Sequence, residues 1–108
     1  MEVVLFDDFK KIDMRVGKIV DVQEHPDADK LYVIDIDVGT EKRKIVAGIR
    51  PYYQKEELIG KLVIIVVNLE PRKIRGIESQ GMLLAGLDDG VLGVLTIDRN
   101  VSPGTRIT

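Results

Sequence analysis

Pro51-Tyr-Tyr-Gln-Lys-Glu-Glu-Leu-Ile-Gly-Lys-Leu-Val-Ile-Ile-Val-Val67 decides the fold, because it sets a short helical pattern directly ahead of an aliphatic run. Proline before Tyr52–Ile59 and Gly60 behind it follow the usual asymmetry of helix ends. The missing N–H of proline costs nothing at a helix start, and glycine lets the chain turn out at the end. Leu62–Val67 is six aliphatic residues in succession, mostly β-branched. So short a run suits a central strand buried on both faces better than a helix.

Outward from this stretch the remaining elements read as short strands. Leu31–Val38 alternates, with Tyr32, Ile34, Ile36 and Val38 on one face and Val33, Asp35 and Asp37 on the other, the period of a half-buried strand. Arg15–Val22 carries Val16, Val20 and Val22 around Gly17, where a glycine marks a bulge or sharp bend of the kind a small barrel needs. Gly39-Thr40-Glu41-Lys42 turns the chain into a strand at Lys44–Ala47. Met82–Leu87 and Val91–Ile97 form two more strands, joined at Asp88-Asp89-Gly90, and Ser102-Pro103-Gly104 turns into a last extended piece. Five or more short strands with a helix between the third and fourth is the order of an oligonucleotide-binding (OB) fold, a five-stranded Greek-key barrel. An SH3-like barrel would not usually hold a helix at that point. Residues 1–108 are expected to form one domain, the length being near the modal domain size.

The 108 residues are 44% hydrophobic and 31% charged, a balance typical of globular proteins, with no stretch resembling a membrane span or a secretory signal. A cytoplasmic location is expected. The absence of cysteine removes disulfides, thiol nucleophiles and the usual zinc sites. His25, Asp27 and Asp29 lie close enough together to suggest a metal loop, yet Pro26 and the aspartates are ordinary turn formers. No pattern calls for a metal or a cofactor, and no catalytic constellation emerges. A net charge of −2 requires that any affinity for nucleic acid rest on a local basic patch.

Two such patches stand out. Arg72, Lys73 and Arg75 fall within four residues of the stretch Asn68–Gly76, where Pro71 opposes strand pairing and Gly76 frees the chain, so an exposed basic loop is expected. Composition alone favours a plain solvated loop with a few charges. Ser79-Gln80-Gly81-Met82 follows, with groups suited to base edges and an unstacked base, although Met82 also suits a core. Glu41-Lys42-Arg43-Lys44 is the second patch, at a hairpin of the kind that helps an OB barrel embrace nucleic acid. Lys30, opening a strand, can face the same surface as the basic loop. Of Tyr52 and Tyr53, one is expected in the core.

His25-Pro-Asp-Ala-Asp-Lys-Leu31, Val46-Ala-Gly-Ile-Arg50, Asn68–Gly76 and Ser79-Gln-Gly-Met-Leu-Leu-Ala85 occur in that order. Together they resemble the tRNA-binding domain appended to methionyl-tRNA synthetases, also found in stand-alone tRNA-binding proteins, cytokine-like synthetase cofactors and secretion-chaperone-like relatives. The resemblance runs from about Asp8 to the C-terminus. It implies an OB barrel that grips the tRNA elbow by shape and backbone, with Lys30, Asn68, Arg72, Lys73, Arg75, Ser79 and Met82 as contacts and Arg43 and Lys44 on a more variable hairpin. Beginning at Met1, the chain resembles a free-standing beta subunit that aids a methionyl-tRNA synthetase catalytic subunit in trans. It further implies a homodimer joined through Val3–Ile12 and Leu87–Ile107. A chaperone-like or scaffold dimer is the alternative.

Overall fold

The computed structural model describes the whole chain, Met1–Thr108. A short helix, α1 (Phe6–Phe9), precedes β1 (Met14–Glu24), β2 (Tyr32–Asp37) and β3 (Lys42–Ala47). One helical turn, α2 (Lys55–Leu58), leads to β4 (Leu62–Val66). The rest is β5 (Arg72–Ile74), β6 (Ile77–Ser79), β7 (Met82–Leu83), β8 (Ala85–Asp88) and β9 (Val91–Val94). An antiparallel five-stranded sheet in the order β3-β2-β1-β4-β7 curls into a nearly closed OB barrel, with α2 between its third and fourth strands as expected.

β1 serves two partners, pairing with β4 through Met14–Lys18 and with β2 through Lys18–Glu24. The change of direction falls near Gly17, where a Cβ would overlap the Ile36 side chain. Gly17 therefore permits close approach across the barrel, while the bulge lies between Ile19 and Asp21 and turns Val20 outward. The fully buried set is Val16, Ile19, Ile34, Ile36, Ile45, Leu58, Val63 and Ile65. Each such side chain contributes about 1.5–3 kcal/mol through removal from water. Val63–Val66 are all buried, as a strand covered on both faces requires.

The helical stretch is shorter than the expected Tyr52–Ile59. Pro51 belongs to a turn closed by the N–H groups of Tyr52 and Tyr53 on the Ile49 carbonyl, so helix begins only at Lys55. Glu57 accepts the Gln54 N–H at 2.7 Å, fixing that start. Tyr53 packs against the core, and its hydroxyl accepts the Val94 N–H, while Tyr52 stays exposed. The expected strand Met82–Leu87 breaks at Leu84, which donates to Ile64 and accepts from Leu95. Asp89 and Gly90 both have positive φ, forming the two-residue hairpin turn that Asp-Gly signals.

Both ends of the chain are fastened to the barrel. Asn68, just past β4, accepts the Asp13 N–H at 2.8 Å and donates to the Lys11 carbonyl at 2.6 Å. The C-terminal segment adds to β1 through Val16 N–H to Thr105 and Ile107 N–H to Met14. Arg15 grips Asp13 and donates to the Gly104 carbonyl. That contact holds the Asp13 carboxyl below its ordinary pKa of 3.8, through the Arg15 hydrogen bond first. No helix is long and apolar enough to cross a membrane.

Candidate nucleic-acid interface

The expected basic loop is a hairpin. β5 and β6 pair from Arg72↔Ser79 to Ile74↔Ile77 around Arg75-Gly76, both with positive φ. Pro71 lies just before the first pair and loses no ladder bond, which is why it did not prevent pairing. Three contacts anchor the hairpin. His25, buried, accepts the Asp27 N–H on Nδ1 at 3.0 Å, which puts its proton on Nε2, 3.2 Å from the Ile74 carbonyl. Arg75 donates to the Asp27 carbonyl at 2.9 Å. The Ser79 hydroxyl accepts the Val46 N–H at 3.0 Å and donates to the Gly81 carbonyl.

Those contacts also complete the barrel. β3 has no strand partner on its outer side, and Ser79 with Gln80 supplies the missing groups. Gln80 donates its N–H to the Lys44 carbonyl at 2.8 Å, and its side-chain oxygen accepts the Lys44 N–H at 3.0 Å. The side chains of Ser79 and Gln80, with the Gln80 N–H, thus stand where a further strand would pair.

The hairpin separates two concavities. On one side is a groove of about 380 Å³ between the end of β3 and β7, floored by aliphatic groups, with Met82, Leu69 and Arg72 among its walls. On the other is a more polar cleft of about 430 Å³ lined by Asp27, Asp29, Lys30, Leu31 and Arg75. Lys30 therefore shares a surface with the hairpin tip, as expected. Arg72 and Lys73 are exposed and form no ion pair; Lys73 stands opposite Glu78 in the register without joining it. Lys30 is likewise unpaired.

Other candidate contacts are occupied within the fold. Arg43 is held by Glu41 at 2.9 Å and donates to the carbonyls of Val67 and Gln80. Lys44 pairs with Asp35 at 3.1 Å. Asn68 spends its amide on the N-terminal segment, and Ser79 is buried with its hydroxyl satisfied. Met82 remains half exposed on the groove wall. The His25 nitrogens are both engaged internally, so the His25-Asp27-Asp29 loop is a turn that pins the hairpin.

Residues 14–106 match the model of the family described as "Putative tRNA binding domain". The chain belongs to this family. It is 56% identical over 107 residues to a methionine–tRNA ligase of Thermococcus onnurineus, a match covering 99% of this chain and 15% of that ligase. The "MetRS related protein" of Pyrococcus horikoshii superposes with a TM-score of 0.92 at 38% identity, each chain covered in full. The CsaA chaperone protein of Picrophilus torridus superposes at 0.91 with 34% identity, over 98% of this chain and all of that one. The chain is a tRNA-binding domain homologous to part of methionyl-tRNA synthetase, spanning only a small fraction of the curated ligases it matches.

Sequence reasoning missed Gln80 as the group that completes β3 and His25 as the pin beneath the hairpin. It also missed Leu69 and Gly48 in the groove. His25 carried a signal, since a lone histidine in a Pro-Asp turn is well placed to bond nearby backbone. The others carried none, because their roles depend on contacts between distant segments.

Proposed function

We propose that the domain holds tRNA for a methionyl-tRNA synthetase and takes no part in catalysis itself. The observation that carries this reading is the β5–β6 hairpin. It is a triply anchored finger whose exposed Arg72 and Lys73 form no ion pair, with Lys30 and Arg75 on the adjoining cleft. Cations presented this way bind phosphates by position and leave base sequence largely unread. The net charge of −2 keeps affinity moderate and local, appropriate to an auxiliary that adds grip to a catalytic subunit in the cytoplasm. One domain, residues 1–108, carries the activity.

The partner surface lies elsewhere. Leu87, Val91 and Leu95 are exposed on and after the β8–β9 hairpin, and Val3, Val4, Leu5 and Phe6 are exposed at the N-terminus. Apolar surface of this kind suits burial in a homodimer, which would offer one tRNA two hairpins. The reading is tested by anisotropy titration against folded tRNA and an unstructured RNA of equal length, with light scattering for mass. Tighter binding of folded tRNA by a species of twice the chain mass is expected; equal affinity for both RNAs would overturn recognition by shape.

The CsaA likeness gives the chaperone-like reading a specific footing, with the aliphatic groove as its surface. Arg72 and Lys73, which such a role does not need, favour RNA.

A further inference from the structure

Gly48 is a glycine that the fold does not require. Its φ lies outside the left-handed region, and a Cβ built on it would meet only the Leu31 side chain, at an ordinary 3.8 Å. Glycine at such a place costs backbone entropy with no internal return, and its common remaining use is to let something approach the backbone closely. Gly48 lines the groove between β3 and β7, is exposed, and its N–H and C=O have no hydrogen-bond partner. The same groove is lined by the half-exposed Met82, the exposed Leu69 and Arg72, which forms no ion pair.

We propose that this groove receives one extruded nucleobase of the bound RNA, its edge on the backbone of Gly48 and its faces against Met82 and Leu69. The proposal rests on the tRNA-binding reading and adds a subsite to it. The groove is of the volume that holds small flat ligands. The Watson–Crick edge of every base offers both a hydrogen-bond donor and an acceptor, which is what an unpaired N–H and C=O complement. Charge selects the occupant. Arg72 lines the groove beside Glu70 without forming an ion pair and meets a phosphate of the extruded nucleotide, whereas an apolar peptide segment gives this cation nothing to neutralise.

The test compares Gly48→Val and Gly48→Ala with the unaltered protein against a tRNA transcript and a fully paired RNA duplex of similar length, each over a range of salt. Because a Cβ fits here, both variants are expected to melt at or slightly above the temperature of the unaltered protein. Gly48→Val is expected to weaken tRNA binding about tenfold, the scale of one lost base contact. Gly48→Ala should show a smaller loss, duplex binding should not change, and the salt slope should stay constant. Unchanged tRNA affinity in both folded variants would overturn the subsite while leaving tRNA binding intact. Displacement of an apolar peptide from the groove with no effect on tRNA would also overturn it. If the unaltered protein shows no salt-dependent tRNA binding, the underlying reading fails and the subsite with it.

Discussion

The hairpin turn Glu41–Lys44 and the hairpin Arg72–Arg75 look alike in sequence, each a cluster of cations at a turn, yet the folded chain pairs Arg43 and Lys44 of the first, leaving Lys42 exposed, and pairs neither Arg72 nor Lys73 of the second. Arg43 and Lys44 are neutralised by Glu41 and Asp35, and Arg43 also caps two carbonyls. Arg72 and Lys73 pair with nothing. A basic residue attracts phosphate only to the extent that its charge is not already spent, so the number of cations in a segment says little. What distinguishes the two is whether a nearby acid closes an ion pair, not whether one stands in register. β2 supplies Asp35 directly opposite Lys44, whereas Glu78 opposite Lys73 forms no ion pair.

Reversing charge on the hairpin should break the comparison most severely. Arg72→Glu with Lys73→Glu is expected to weaken tRNA binding on the order of a hundredfold at low salt, through lost contacts and added repulsion. Thermal unfolding should not move, since exposed charges contribute little to stability. Coincident loss of fold and binding would show that the hairpin cations support the structure instead.

Arg43→Ala should produce the opposite pattern. Two carbonyls lose a charged donor, so chemical denaturation should report a loss of about 2 kcal/mol. Binding measured well below the melting temperature should change little. A large affinity loss without destabilisation would place Arg43 among the RNA contacts.

The OB barrel was legible because alternation in Leu31–Val38 and the aliphatic run Leu62–Val67 are local consequences of burial. So was the Asp89-Gly90 turn, which backbone chemistry dictates. The hairpin at Arg72–Ser79 was hidden by Pro71, a residue that opposes pairing only when it falls inside the ladder. Within the candidate site, Lys30 and Arg75 could be placed together from barrel order. That Asn68 fastens Lys11 and Asp13 could not be read, nor that the Ser79 hydroxyl is taken up by Val46, because each depends on residues 33 or more positions away.

Lys44→Ala should sharpen the contrast at smaller scale. Its ion pair with Asp35 is half exposed, so stability should shift by less than about 1 kcal/mol and tRNA affinity by less than about twofold. An effect equal to that of Lys73→Ala, measured side by side, would erase the distinction between the two clusters.

The smallest effect concerns neither cluster and serves as a control on the fastening of the termini. Arg15 lowers the Asp13 pKa, so the unfolded state binds a proton more readily there. The resulting stability is present above the unfolded pKa near 4 and is lost as pH falls through the lower folded value. Asp13→Asn should therefore show a shallower decline in acid unfolding below about pH 4 than the unaltered protein. Identical acid limbs would remove Asp13 from the account.

Hairpin cations that hold tRNA by its phosphates make affinity depend on salt, and that dependence is the most direct test. If about four phosphates are neutralised, log K should fall with log salt at a slope of roughly −3, and Arg72→Ala with Lys73→Ala should make the slope shallower by about two. A flat response of the unaltered protein, or identical slopes for protein and variant, would contradict the claim.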